Sequence, residues 1–272
     1  MTIKLIMIKI KTTMKAQQKL FTLFILLYSA FSFAQTDSLD FKGGFLLLPE
    51  KKYTLEDINT IIVKIYSDNA LLDSVKKETV LQRVATTRRI SKKDSIFPVS
   101  VKYLRSDENP FLQNAEVKGY CKLLKMPIFT EVFISSMKLS KKESDDFMIK
   151  MSNFFNEVEL PSKKIKTGDT LSIVRTTDAS TGGHLKIDIN FVLKEIKEGK
   201  AYFNITSTEK LENSTGISGG GTGSGTAVYD IVNHIFLSIN TDRDRIFVNK
   251  NSQDMVKARD NRIQTIVVED NP

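Results

Sequence analysis

The chain has 272 residues, 41% of them hydrophobic, with one cysteine, no tryptophan and a formal net charge of +8 at pH 7. That length suits one large or two small domains with a proper core, and a lone cysteine excludes an internal disulfide. The positive charge does not mark a nucleic-acid surface: Lys4, Lys9, Lys11, Lys15 and Lys19 lie in an N-terminal leader whose removal leaves +3, and pairs such as Lys141-Lys142 and Lys163-Lys164 are scattered and lack interleaved aromatics.

The leader comes first in the chain. Lys15 and Lys19 form a short basic region before the apolar run LFTLFILLYSAFSF, Leu20 to Phe33, and Ser32 and Ala34 place small residues three and one before a cut at Ala34-Gln35. Fourteen residues fall short of the roughly 20 that span a bilayer core, so a cleaved signal peptide is expected over 1–34 rather than a membrane anchor, with Met14 the expected start. Gln35 rather than cysteine follows the cut, so lipid attachment there is not expected. The expected localisation is periplasmic or extracellular.

The rest of the chain divides, on pattern, into a first β-rich half over 35–139, an amphipathic helix over 140–160 and a second β-rich half over 161–272. TLEDINTIIVKIY carries Leu55, Ile58, Ile62 and Ile65 at a helix-compatible spacing, but its β-branched richness favours a strand. FPVSVKY alternates, with Phe97, Val99, Val101 and Tyr103 on one face. Cys121 alternates with Val117, Gly119 and Leu123, which makes it a buried strand position. After Ser140, the run KKESDDFMIKMSNFFNEV sets Phe147, Met151, Phe154, Phe155 and Val158 at helical spacing, Ser140 and Glu143 form a capping box, and Leu160-Pro161 ends the helix.

In the second half, LKIDINFVL puts Leu185, Ile187, Ile189, Phe191 and Leu193 on one face, KEGK supplies a turn, and AYFNIT points Ala201, Phe203 and Ile205 inward: a β-hairpin over 185–206. HIFLSI repeats the alternation at Ile235, Leu237 and Ile239, and NTDRDR reads as a hairpin turn carrying Asp242 and Asp244, without the oxygen-ligand loop that calcium demands. EKKYTLEDI at 50–58 resembles KTGDTLSIV at 166–174, and PIFTEVFIS at 127–135 resembles HIFLSINTD at 234–242, so two similar β-rich halves are a feature to look for.

The stretch GISGGGTGSGT, 216–226, admits three readings. Gly216, Ser218 and Gly220 satisfy G-x-S-x-G, with Asp230 and His234 following in hydrolase order, but a nucleophile elbow needs a helix after the serine and VYDIV reads as a strand. A phosphate loop needs a lysine and a helix start, and neither is present. In an extended chain Gly219, Gly221, Gly223 and Gly225 line one face and Thr222, Ser224 and Thr226 the other, a bare face that marks close approach by backbone or ligand; a loop over part of the stretch is the alternative. His184 and His234 lack the spacing of metal ligands, so no cofactor or metal is expected.

The signal, the strand meander, the Phe-rich helix, LPSKKIKTGDTLS and the glycine-rich strand leading into VYDIVNHIF together resemble an uncharacterised family of exported bacterial β-rich proteins. The arrangement of sheet plus helix is more remotely similar to lipoprotein-localisation carriers, whose half-open barrels hold acyl chains. The expected fold is α+β, mainly antiparallel β: a curved sheet or half-barrel with one amphipathic helix. The expected function is non-enzymatic binding of an apolar or lipid-like ligand, or of an envelope protein, by an exported protein with no transmembrane span after signal removal and no nucleic-acid partner. Phe147, Met151, Phe154, Phe155, Gly219, Gly221, Gly223 and Gly225 are the expected ligand-binding residues. A structural or interaction module with a filled core is the alternative, and a serine hydrolase the third reading.

Overall fold

The computed structural model describes residues 38–271 apart from 43–45, 92–94, 124, 135–137, 156–159, 179–182, 213, 215 and 253, together with the backbone but not the side chains of residues 150 and 152–155. The expected signal peptide, and the side chains of Phe154 and Phe155, lie outside the described residues.

Eleven strands form one curved, non-closed antiparallel sheet. Five precede the helix: β2 (Lys51–Ser67), β3 (Ala70–Thr87), β4 (Ile96–Ser106), β5 (Glu116–Lys122) and β6 (Ile128–Phe133). Six follow it: β8 (Thr170–Asp178), β9 (His184–Lys197), β10 (Lys200–Glu212), β11 (Ile217–Asp230), β12 (Ile235–Asn249) and β13 (Met255–Asp270). Each set is a meander, and β13 pairs with β2 from Asp270↔Lys51 to Met255↔Tyr66, so the chain's last strand joins the two. β6 and β8 are the edges. β1 (Ser38–Phe41) and β7 (Lys163–Lys166) pair with each other as a separate ribbon, and the helix, α1, covers Lys141–Phe155.

Alternation dictates which face is dry, because side chains at i and i+2 share a side of the pleat. Phe97, Val99, Val101 and Tyr103 of β4 are buried, as are Phe203, Ile205 and Ala201 of β10, and β2 is a strand throughout. One core face results, and it holds two clusters. Under α1 lie Tyr53, Leu55, Phe97, Val101, Val117, Cys121, Met151 and Ile266; under the β1–β7 ribbon lie Phe41, Leu39, Ile165, Phe191, Phe203, Tyr229 and Phe236. The Ser140 hydroxyl accepts from the Glu143 amide at 3.3 Å while Glu143 accepts from the Ser140 amide at 2.8 Å, closing the expected capping box.

Two local expectations fail for definite reasons. Val228 faces Ser238 but Tyr229 faces Phe236, so Leu237 is an extra residue of β12, and the bulge buries both Ile235 and Phe236. Strict inward alternation of Ile235, Leu237 and Ile239 is thereby broken, and neighbouring residues feed the two different clusters. NTDRDR is not a turn: Asn240 to Arg245 run through the middle of β12. Cross-strand partners neutralise the charges there, Asp242 pairing with Arg259 on the outer face.

Cys121 is fully buried, its thiol donates to the Lys125 carbonyl at 2.9 Å, and burial pushes its pKa up to about 11. It is a packing residue with little thiolate character.

Candidate functional site

β11 is a strand over its whole glycine stretch, with Gly219, Gly221, Gly223 and Gly225 on the core face and Ser218, Thr222, Ser224 and Thr226 on the outer face. What fills the bare face is the protein's own chemistry. Gly221 sits between Glu209 of β10 and Arg245 of β12, and Gly223 between Ser207 and Arg243. A Cβ at Gly221 would come within 2.9 Å of Arg245 Cγ, and one at Gly223 within 2.6 Å of Arg243 Cγ and 2.5 Å of Ser207 Oγ. At Gly219 the Phe247 ring takes the space, 2.9 Å from where a Cβ would lie.

The glycines thus form a floor over which two arginines cross a strand. Arg245 Nε donates to Glu209 Oε2 at 2.6 Å and its Nη2 to Oε1 at 3.2 Å. Arg243 Nη1 reaches Glu209 Oε1 at 3.5 Å, and its Nη2 donates to Asp260 of β13. The Glu209 side chain is 1% exposed and that of Asp260 4%. Burial at that depth is tolerated only because both carboxylates are ion-paired and hydrogen-bonded. Of the four glycines expected to bind a ligand, Gly219, Gly221 and Gly223 seat this chain's own side chains, and a Cβ at Gly225 would meet the Asn240 carbonyl oxygen.

The polar band continues across the core face through Asp57 of β2, Arg262 of β13 and Arg83 of β3. Arg262 Nε bonds both Asp57 oxygens, at 3.0 and 3.1 Å. Arg83 is 2% exposed, with its guanidinium 5.9 Å from the centre of the Tyr103 ring. Burial draws the Arg83 pKa down, opposed by Tyr103 and Asp57, and burial raises that of Tyr103, opposed by Arg83.

Here the band opens into a cavity of about 380 Å³. Its sheet wall is mostly polar, from Asp57, Asn59, Thr79, Arg83, Tyr103 and Arg262, with Val80 and Leu81 beside them; Phe147 and Met151 of α1 and Leu112 supply apolar groups, and the segment 106–109 adds further polar ones. Met151 is 3% exposed and accepts a hydrogen bond at its sulfur from the Tyr103 hydroxyl, so it belongs to core and cavity wall together, while Phe147 is half-buried. Two of the four expected helix residues line the cavity. The glycine strand does not reach it: no β11 residue lines it, and β11 lies two strands, about 10 Å, from β13, the nearest strand that does.

Sequence reasoning missed Asp57, Asn59, Thr79, Arg83 and Arg262. The signal was present as polar residues on the apolar parity of each strand, for example Leu55-Asp57-Asn59-Ile61-Val63 and Ile239-Thr241-Arg243-Arg245-Phe247. Reading NTDRDR as a turn hid it.

The remaining motifs dissolve. Ser218 and Asp230 stand near opposite ends of one strand, about 40 Å apart at the rise of an extended chain, so Ser218, Asp230 and His234 form no triad. Asp230 instead caps the turn after β11, accepting from the Val232 and Asn233 amides at 2.9 Å each. His234 sits in that turn at φ +53°, its pKa lowered by burial and by Lys42. No cluster of three or more potential metal ligands occurs among the described residues.

The outer face is not built to meet lipid. Lys186 and Asp188 of β9, Lys210 of β10, Asp242 and Asp244 of β12, Arg259 of β13 and Lys76 and Glu78 of β3 all point there. A lipid-facing strand loses about 2–4 kcal/mol for each Lys or Arg near the bilayer midplane. No helix among the described residues is long and apolar enough to cross a membrane.

No family profile matches the chain, and no curated sequence matches it. Among solved structures it is similar to a chain of lipovitellin, from a structure describing lipid–protein interactions in that protein, at 8% identity and TM-score 0.40, covering 83% of this chain and 26% of that one. The chain thus spans about a quarter of that lipovitellin chain. It is also similar to an outer membrane channel from Pseudomonas putida F1 (5% identity, 82% and 98% covered, TM-score 0.18) and to Neisserial surface protein A (10% identity, 79% and 96% covered, TM-score 0.15). With scores this low, none of the three fixes a shared fold.

Proposed function

We propose that this is an exported, non-enzymatic binding protein that holds an amphipathic, lipid-like ligand between the sheet and α1. The observation that carries the reading is the two-sided cavity: buried arginine, aspartate and tyrosine on the sheet, phenylalanine and methionine on the helix. Its volume of about 380 Å³ is within the range of small-ligand sites, roughly 300–1,000 Å³. A polar head bonds the sheet wall, and an apolar segment lies against Phe147, Met151 and Leu112. A filled interaction module has no use for a cavity there.

Phe147 and Met151 separate the two functions of the helix. Met151→Ala is expected to cost about 2–5 kcal/mol in denaturant unfolding, because it empties a buried core position. Phe147→Ala removes a side chain that already borders open space. It is expected to cost about 1 kcal/mol, well below the 3–5 of a fully packed phenylalanine, and to weaken binding of a fluorescent fatty-acid analogue on the order of tenfold. A wild-type protein that binds no such probe, with no lipid in its native mass spectrum, would sink the reading.

Export rests on the order of basic, apolar and small residues in the leader. Protein recovered from its own cells is expected to begin at Gln35. A mature protein that retains Leu20 to Phe33 contradicts this.

A further inference from the structure

The cavity lies at the root of the β2–β3 hairpin, whose far end carries a group of exposed aliphatic side chains. β4 pairs with β3 only from Leu81 onward, so among the described residues Ala70 to Val80 have β2 on one side and no strand on the other. The hairpin projects past β4 by about 30 Å. At its tip Leu71, Leu72 and Val75 are 54, 65 and 52% exposed, and Ile65 37%. A loop tip has no packing reason to carry four branched aliphatics in water.

Cations surround this apolar end. Met255 of β13 pairs with Tyr66, which sets the β12–β13 turn beside the β2–β3 turn at one end of the sheet. Across positions 64–77 and 250–257 of these two hairpin ends, five lysines (Lys64, Lys76, Lys77, Lys250 and Lys257) outnumber the three aspartates Asp68, Asp73 and Asp254. All five lysines are exposed. Lys257 Nζ lies 5.1 Å from the centre of the Tyr66 ring, and Tyr66 pairs with Leu71 beside the polar turn residues Asp68 and Asn69. The hairpin end thus combines exposed aliphatics, an aromatic and lysines, the side chains that settle together at the interface of an anionic bilayer.

We infer that the β2–β3 hairpin tip, with the neighbouring β12–β13 turn, docks onto an anionic lipid bilayer. Strand addition along the free edge of β3 is opposed by the consecutive lysines Lys76 and Lys77. A protein partner is left to the test as the competing occupant.

The inference deepens the reading of the cavity and rests on it, because the core face of the hairpin connects the two. Ile65 beside Asp73, then Val63 beside Val75, then Ile61 beside Lys77 lead down from the tip, and Asn59 beside Thr79 opens the cavity. A lipid leaving the bilayer at the tip meets the aliphatic side chains of β2, with Lys77 beside them for an anionic head, before it meets the polar wall.

The test uses the described chain and flotation with vesicles of phosphatidylcholine alone and of phosphatidylcholine with phosphatidylglycerol. Wild type is expected to float with the anionic vesicles and only weakly with the neutral ones. Leu71→Ser/Leu72→Ser is expected to lower partition on the order of tenfold for both, and Lys76→Gln/Lys77→Gln on the order of tenfold for the anionic vesicles alone. Fatty-acid probe binding is measured on the same variants, whose circular dichroism and unfolding midpoint report folding. Retained probe binding with lost flotation supports the tip as the membrane contact. No flotation of wild type, variants that float like wild type, or a concentration-dependent dimer abolished by Leu71→Ser/Leu72→Ser would overturn it. Loss of probe binding in wild type, with flotation intact, would instead remove the cavity reading and leave the docking surface standing.

Discussion

Glu209→Ala is expected to destabilise the fold by about 3–5 kcal/mol, as breaking a buried ion pair from one side does. The side chain is 1% exposed and accepts from both Arg245 and Arg243, so its removal leaves two guanidinium groups over the glycine floor with Asp260 as their remaining carboxylate. Arg243 and Arg245 are only about a quarter and a fifth exposed, too little for water to replace the lost partner in full. Guanidinium-chloride unfolding with linear extrapolation measures the loss. The double variant Glu209→Leu/Arg245→Met is expected to recover much of it, because apolar replacement of both partners removes the unpaired charge. A loss below about 1 kcal/mol in Glu209→Ala would mean the pair behaves as an exposed one.

Phe41→Ala is the second large effect, with an expected cost of about 3–5 kcal/mol. Phe41 is fully buried, its ring centroid 4.7 Å from that of Tyr229 and 6.1 Å from those of Phe203 and Phe236. β1 has four residues and one pairing partner, β7, so Phe41, with Leu39 and Ile165, anchors the ribbon on the core face, and Phe41 is the largest of the three side chains. Amide exchange at Leu39 and Ile165 is expected to accelerate along with the loss of stability. Tyr229→Phe is the comparison: it keeps the ring stack and loses the 2.8 Å bond from the phenol to the Lys42 carbonyl and the 3.5 Å contact with His234 Nδ1, about 1 kcal/mol. Unchanged exchange in β1 and β7 of Phe41→Ala would show that something else retains the ribbon.

Both predictions turn on side chains that a linear reading handles differently. Phe41 is easy to place as an apolar residue. Glu209 is not, since in AYFNITSTEKLE it looks like any surface glutamate until the parity set by Ala201, Phe203 and Ile205 is carried two pairs further. The same parity carried along β12 turns NTDRDR from a turn into a strand with aspartates outside and arginines inside. Local composition there points to a turn and period to a strand, and cross-strand neutralisation, which makes the strand possible, is invisible to local composition: Arg243 finds Asp260 and Glu209 on two different strands.

The elements are legible in the sequence: antiparallel strands from period-two alternation, one capped amphipathic helix from Ser140 and Glu143, and an extended reading of 216–226 beside a loop, between which the pairing of β11 with β10 and β12 decides. These follow from interactions within a few residues, where chain geometry alone decides which side chains share a face. Tertiary structure alone decided what each face meets. The order of strands brings Glu209, Arg243, Arg245 and Asp260 together over Gly221 and Gly223, so a bare face that reads as room for a ligand is occupied by arginines. It also sets Phe147 and Met151 against Asp57, Arg83 and Arg262, residues 64 to 115 positions away along the chain, which only strand pairing across the whole sheet can join. Pairing of β13 with β2 is the decisive contact, since it lays the last strand beside the first long one and makes a single cavity wall from residues that share no local pattern.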